Sequence, residues 1–90
     1  MTEKKYLYIL SRYVFYGGEY VLMVSASCDE ITTYFIRAMR QLPDQCGLQI
    51  VRYEFGKYYD DGQGKTIRHI VREDGKIKDL MGVLSDYATI

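Results

Sequence analysis

The chain is poor in the residues that most often carry catalysis or metal binding. Its 90 residues include no tryptophan, one histidine, one proline and two cysteines. A single histidine with two cysteines far apart in the sequence cannot supply the ligands of a zinc site. Twelve basic and twelve acidic residues give a net charge of zero, which excludes an overall polycation or polyanion acting through its bulk field. Any charged recognition must therefore be local.

Long hydrophobic runs are also missing. After the charged start, only five consecutive apolar residues occur, Tyr6 to Leu10, before Ser11 and Arg12. This run is too short for a signal peptide and far below the roughly 20 residues that span a bilayer. We expect a cytoplasmic protein with no membrane partner.

The composition predicts a chain that folds into one domain over residues 1–90. Apolar residues make up 48% of the chain and charged residues 27%, which is a globular balance. Ninety residues leave no room for a separate cofactor domain or a repeat array. The chain is rich in tyrosine, with ten.

The first half of the chain predicts a hairpin. Residues 4–16 and 19–26 are both β-prone, and Gly17 and Gly18 separate them. Both glycines can take the positive φ of a tight primed turn. Neither strand has a clean polar face, so a second layer is expected over the side that does not cover the core.

A helix is predicted over residues 28–42. Ser27 and Glu30 fit the S-x-x-E capping box, and Pro43 ends the segment. An amphipathic stripe follows at helical spacing and is interpreted as core packing: Ile31, Tyr34, Phe35, Ala38, Met39 and Leu42. Cys28 and Cys46 lie on either side of a helix of roughly 20 Å, whereas residues 43–46 return at most about 13 Å, so no disulfide is expected.

The second half predicts two further strands. Residues 48–56 alternate in polarity but begin with apolar residues of both parities, which indicates two buried faces or a bulge. Residues 65–72 form a fourth strand, followed by a tight turn at Asp74-Gly75. The tail 76–90 predicts a short C-terminal helix, with a brief strand at 76–78 as an alternative start. The expected fold is α+β: a four-stranded antiparallel sheet in the order ββαββ, with the 28–42 helix packed across one face.

Residues 6–57 carry a pattern that resembles known sequences. The pattern comprises a tyrosine-rich first strand, the hairpin into YVLMVSAS, the S-x-x-E helix start, Leu42-Pro43 and the later Tyr53-Glu54-Phe55. It resembles a loose group of short bacterial and phage proteins of unknown function. The resemblance implies a phage-like context, in which small charge-balanced proteins act by occupying the surface of a host machine, as anti-CRISPR and other anti-defence proteins do.

Motifs for chemistry are incomplete. Gly64-Lys65-Thr66 ends like a phosphate-binding loop, but Tyr59 stands where that loop needs glycine, and a strand follows where a helix is needed. Cys28 at a helix N-terminus could be a reactive thiol, yet its pairing with His69 has no sequence support. Asp60-Asp61-Gly62 lacks the alternating ligands of a calcium loop. We therefore predict no catalytic residue, no metal and no cofactor.

Binding surfaces remain. Residues 65–78 hold five basic and two acidic residues, a local charge of +3, so a homodimeric nucleic-acid-binding protein using this strand is one alternative. Tyrosine and arginine are also the common anchors of protein interfaces. Tyr8, Tyr20 and Tyr34 are interpreted as core residues.

The predicted function is a non-enzymatic protein-binding module, specifically a phage-type inhibitor that masks a site on a larger host defence complex. The predicted partner-binding residues lie near turns or charges: Tyr13, Tyr16, Tyr58, Tyr59, Asp60, Asp61, Arg68 and Arg72.

Overall fold

A computed structural model describes residues 5–55 and 64–81 of the chain. The elements in chain order are β1 (Tyr6–Val14), β2 (Glu19–Ser25), α1 (Cys28–Arg40), β3 (Cys46–Glu54), β4 (Lys65–Glu73) and β5 (Lys76–Asp79). The α+β class is confirmed. The strand count was one too low, because the short strand considered at 76–78 pairs with β4 as a fifth strand. The predicted C-terminal helix lies outside the described residues, apart from its first few positions, which form β5.

The sheet is antiparallel throughout, in the order β2-β1-β3-β4-β5. β1 and β3 lie side by side over their full nine residues, from Tyr6 opposite Glu54 to Val14 opposite Cys46. This pairing brings the first hairpin and the second half of the chain into one sheet. It could not be read from the sequence, because the two strands are separated by the helix.

Helix α1 packs on one face of the sheet and forms the core with it. Six side chains are essentially inaccessible: Phe35, Leu10, Ile31, Leu48, Ile50 and Ile70. Burial of each stabilises the fold by about 1.5–3 kcal/mol relative to an exposed position. The helix ends at Arg40 with Gln41 as its C-cap, earlier than predicted. Leu42 is buried beyond the helix end, so the predicted stripe still reaches the core.

The N-terminus of α1 uses a capping arrangement with an added serine. The Ser27 hydroxyl accepts from the Glu30 backbone N–H at 3.1 Å, as the capping box predicts. The Glu30 carboxylate does not bond the Ser27 backbone directly. It accepts from the Ser25 hydroxyl at 2.6 Å, and Ser25 Oγ in turn accepts from the Ser27 N–H at 2.9 Å. Ser25, the last residue of β2, therefore joins the hairpin to the helix.

The two hairpin turns differ from each other. Asp74 and Gly75 have φ of 54° and 75°, the left-handed pair that a two-residue primed turn requires, so this turn is confirmed. The primed turn expected at Gly17 and Gly18 is wrong, because neither glycine has positive φ. The loop there is longer: Gly17 N–H donates to the Val14 carbonyl, and Val14 N–H donates to the Gly18 carbonyl.

Strands β2 and β4 each contain a bulge. Leu10 pairs with Met23 and Ser11 with Val21, which leaves Leu22 as an extra residue in β2. Ile67 is likewise extra in β4, because Ile50 pairs with Arg68 while Val51 pairs with Thr66. Both extra side chains pack against the core. The predicted alternative of a bulge within β3 is therefore wrong, because the extra residue lies on β4, whereas β3 begins with Cys46, Gly47 and Leu48 all buried, as the other alternative predicts.

Two of the three tyrosines interpreted as core residues are exposed. Tyr8 is buried, as predicted, at 8% exposure. Tyr20 is 54% exposed because β2 is an edge strand, and the Arg12 guanidinium lies 5.9 Å from its ring centre. Tyr34 is 39% exposed on the flank of the helix, with the Arg37 guanidinium 6.0 Å from its ring centre. Tyr34 belongs to the predicted helix stripe but lies at its edge. Strict alternation along β2 would put Tyr20 on the same face as Val24, but the bulge at Leu22 puts Tyr20 on the helix side and Val24 on the other.

Within residues 5–55 and 64–81, no helix has the length and apolar character needed to cross a membrane.

Candidate interaction surface

The sheet face opposite α1 carries a contiguous set of apolar side chains. Ile9 lies between Val24 on β2 and Val51 on β3, and the next pair on this face is Leu7 with Tyr53. We call these five residues the apolar patch. Val24 is 51% exposed, and the other four are partly exposed. Among the described residues, no helix or strand packs over the patch, so the second layer expected there is not formed by this part of the chain.

The same face becomes polar toward the first hairpin turn. Tyr13, Glu19, Gln49 and His69 lie at this end of the sheet, which we call the polar end. The Tyr13 hydroxyl and His69 Nε2 share a hydrogen bond of 2.6 Å. The Gln49 amide donates to the Glu19 carboxylate at 2.8 Å. The apolar patch is therefore bordered on one side by polar groups whose orientations are fixed by one another.

Gly47 makes the Tyr13–His69 contact possible. Gly47 lies on β3 between Tyr13 on β1 and Val71 on β4. A β-carbon at position 47 would overlap the Tyr13 ring, so the ring crosses the sheet where β3 has no side chain. This explains how Tyr13 reaches His69, which lies on the strand beyond β3.

Burial affects ionisation at the polar end. It raises the pKa of Tyr13 above its usual value, and the Glu19 carboxylate nearby raises the pKa further. Burial lowers the pKa of His69 below 6.5. Both shifts favour the neutral forms, so this pair presents uncharged polar groups at neutral pH.

The predicted partner-binding tyrosines have different environments. Tyr13 belongs to the polar end and is partly buried. Tyr16 is 91% exposed at the tip of the first hairpin. Tyr58, Tyr59, Asp60 and Asp61 lie outside the described residues.

The two predicted arginines lie on the helix side of the sheet. Arg68 pairs with Ile50, and Arg72 pairs with Cys46, both of which face α1. Arg72 Nε donates to the Leu42 carbonyl at 2.6 Å, and its Nη1 donates to the Gly75 carbonyl at 3.3 Å. Arg72 therefore ties the β4–β5 turn to the end of the helix, which gives it a structural role.

The basic segment 65–78 does not form one positive face. Arg68 and Arg72 lie on the helix side, whereas Lys76 and Lys78 pair with Glu73 and Val71 on the opposite side. Lys78 also forms an ion pair of 2.7 Å with Glu73. Splitting the charge between two faces reduces the number of phosphates that one bound strand could contact.

The residues considered for catalysis or metal binding are not brought together. Cys46 lies in the core beneath α1, and Cys28 begins the helix, whereas His69 is on the other face of the sheet. Both cysteines are free thiols. Within the described ranges, no group of three histidine, cysteine or acidic side chains could hold a metal ion. Lys65 and Thr66 begin a strand and not a helix, as predicted.

The predicted partner-binding residues do not include the apolar patch. The sequence indicates that β1 and β2 are apolar on both faces, but the predicted residues lie near turns and charges, and Ile9, Val24 and Val51 are not among them. Gly47 gave no signal, because the predicted strand begins at residue 48 and leaves this glycine in the preceding loop, whereas the structure places it inside β3.

Comparison of the chain with protein-family models, with curated protein sequences and with solved structures finds no match.

Proposed function

We propose that this chain is a small protein-binding module and that its partner contacts the sheet face opposite α1. The single observation that carries the proposal is the apolar patch. Antiparallel sheets with one face toward water normally show polar residues on that face. Here β1 instead presents Leu7 and Ile9, flanked by apolar side chains from both neighbouring strands, β2 and β3.

The layout of the face supports a protein partner. Interfaces between proteins have an apolar centre with a polar rim, and tyrosine is enriched in them. The apolar patch supplies the centre, and the polar end supplies hydrogen-bonding groups that are already oriented. Such groups lose little side-chain entropy on binding.

The size of the face is adequate for part of an interface. Six residue steps from Leu7 to Tyr13 span about 20 Å, and five strands span about 19 Å. The area of the face given by these two lengths is roughly half of the 800 Å² that a standard interface buries on each partner. The hairpin tip, where Tyr16 is 91% exposed, adjoins the polar end.

The specific form of the proposal is a phage-type inhibitor that masks a site on a larger host defence complex. Its support is the sequence resemblance over residues 6–57. The alternative, a homodimeric nucleic-acid-binding protein, is less favoured because the basic side chains of 65–78 point to both faces of the sheet.

Photo-cross-linking tests the proposal. A photoreactive phenylalanine replaces Val24 in the apolar patch or, as a control, Thr33 on the exposed side of α1. We expect position 24 to yield one discrete protein adduct that survives 0.5 M salt and position 33 to yield none. Identical adducts from both positions would contradict the proposal. So would DNA or RNA binding that is lost between low and moderate salt and is insensitive to Val24→Lys. If the adduct at position 24 is a dimer of the chain itself, this face is a homodimer interface, and the inhibitor proposal is wrong.

A further inference from the structure

A cavity of about 190 Å³ lies on the other side of the molecule, between the C-terminal half of α1 and the sheet. Its floor is apolar, formed by Leu22, Leu42 and Leu48. Arg12 from β1 and Arg37 and Gln41 from the end of the helix also line it. We call it the arginine pocket. It is separated from the apolar patch by the sheet.

The charge of the arginine pocket is unbalanced. Two guanidinium groups line it, and no acidic side chain does. Within residues 5–55 and 64–81, neither arginine forms an ion pair. A site lined by two cations and no anion attracts a negatively charged group.

Arg12 provides a second, independent observation. Its Nε atom is buried and has no hydrogen-bond partner in the described part of the chain. Buried polar atoms without a partner are rare in folded proteins, since leaving one unsatisfied is costly. Because this atom has almost no accessible surface, an acceptor oxygen bound in the pocket would satisfy the N–H after a small shift of the Arg12 side chain toward the ligand.

Each guanidinium group of the pocket lies near an aromatic ring. Arg12 lies 5.9 Å from the ring centre of Tyr20, and Arg37 lies 6.0 Å from that of Tyr34. Both distances are near the outer limit of a cation–π contact, so the rings favour these side-chain positions weakly and leave the guanidinium edges available to donate.

The pocket's size and floor define the rest of the ligand. A cavity of about 150 Å³ lined by apolar side chains holds one benzene ring. The arginine pocket is somewhat larger, which leaves room for a small charged group beside such a ring. The accessible apolar side chains of the lining are Leu22, Tyr34 and Ala38, which can contact an apolar body, and arginine pairs well with carboxylates.

We propose that the arginine pocket binds a carboxylate carried on a small apolar body, with Arg12 and Arg37 as the carboxylate ligands. The source is either a free small acid or the C-terminal residue of a protein partner. This site is independent of the proposed interface on the other face of the sheet.

Sodium benzoate is the first probe. Its binding is measured by NMR of the folded protein at pH 7 and constant ionic strength. The Arg12 Nε–H signal and the methyl signals of Leu22 and Leu42 report on the pocket. We expect these signals to shift together and to saturate with a Kd of about 1–10 mM, as suits nine non-hydrogen atoms. Benzamide, the uncharged analogue of the same shape, should bind at least about tenfold more weakly.

Variants distinguish binding in the arginine pocket from non-specific electrostatic attraction of benzoate to the protein. Arg37→Gln should weaken benzoate binding about tenfold, whereas Arg40→Gln, which removes an equal charge from the same helix outside the pocket, should leave the Kd within about twofold. Arg12→Met keeps an unbranched chain against the leucines and should abolish saturation, as read from the leucine methyl signals. A cooperative unfolding transition for each variant shows that it is folded.

Several results would overturn the proposal. They are shifts that do not saturate by 50 mM benzoate, equal binding of benzamide, equal effects of Arg37→Gln and Arg40→Gln, or tighter binding of inorganic phosphate than of benzoate. A second pair of probes identifies the source. If Gly-Gly-Gly-Phe with a free C-terminus binds at least tenfold tighter than benzoate, and its amidated form does not, the ligand is a protein C-terminus. If benzoate binds as tightly as the free peptide or more so, the ligand is a free small acid.

Discussion

Single residues at the polar end decide how the sheet face is shaped. Gly47 leaves the space that the Tyr13 ring occupies, and Tyr13 in turn contacts His69 across β3. Each of these residues looks ordinary in the sequence: a glycine just before a predicted strand, a tyrosine near a turn and a lone histidine. Their relation depends on the pairing of β1 with β3 and of β3 with β4, which no local pattern shows.

Gly47→Ala should lower the free energy of unfolding by about 1–3 kcal/mol, because the new methyl group overlaps the Tyr13 ring and must displace it. Gly18→Ala is the matched control. Its nearest neighbour is 3.8 Å from the new β-carbon and its φ is not left-handed, so the change should be within about 0.5 kcal/mol. Urea unfolding measures both.

The same experiment in a Tyr13→Ala background tests the cause. There the penalty of Gly47→Ala should largely disappear, because the two sites are directly coupled. An equal penalty with and without the Tyr13 ring would show that the ring is not the obstacle.

His69 should make stability depend on pH. Because burial lowers its folded-state pKa below the unfolded value of 6.5, the unfolded chain binds more protons between those two values. The stability contribution is fully present above about pH 6.5 and is lost as the pH falls through the folded pKa. Thermal unfolding should therefore show a larger fall in Tm from pH 7 to pH 5 for the wild type than for His69→Gln. A parallel fall in the two proteins would argue against this role.

At the level of elements, the junction between β2 and α1 is the most specific feature. Ser25 bonds both the Ser27 N–H and the Glu30 carboxylate, so one hydroxyl fixes the direction in which the chain enters the helix. The sequence indicated the capping residue and the helix start correctly. It did not indicate Ser25, because the S-x-x-E motif contains only the direct contacts.

Ser25→Ala should reduce the free energy of unfolding by about 1–2 kcal/mol, since it removes two hydrogen bonds at a buried position. Thr33→Ala provides the comparison. The Thr33 hydroxyl donates to the Asp29 carbonyl within the helix, at an exposed site where alanine is the better helix former. Chemical denaturation should show no loss for Thr33→Ala, and a similar loss for both variants would contradict the special role of Ser25.

The elements were predictable to different degrees. Helix α1 and the Asp74-Gly75 turn follow from local rules of capping and backbone conformation, and the structure confirms both. The first turn was wrong because two glycines permit positive φ without requiring it. The fifth strand was predicted only as an alternative to the start of a helix, because Ile77, Leu80 and Met81 fit a helical spacing as well as the start of a strand. Pairing with β4 decides between them.

At the level of the whole molecule, the sheet separates two surfaces of different character. The helix side holds the core and the arginine pocket, and the opposite side holds the apolar patch and the polar end. The sequence could show that β1 and β2 are apolar on both faces but not which face the helix would cover. The partner-binding residues were therefore predicted at the hairpin tip, in the 58–61 loop and on the basic strand, whereas the interface that we propose is centred on Ile9, Val24 and Val51.

The affinity for the cross-linked partner tests the central claim most directly, measured by calorimetry for Val24→Lys and for Thr33→Lys. Both variants add one positive charge at an exposed position, so each should retain the wild-type free energy of unfolding within about 0.5 kcal/mol. If the apolar patch is the centre of the interface, Val24→Lys should weaken binding about 100-fold or more, because it buries an unpaired charge, and Thr33→Lys should change it less than about threefold. Unchanged affinity for Val24→Lys, or equal losses in the two variants, would contradict the account.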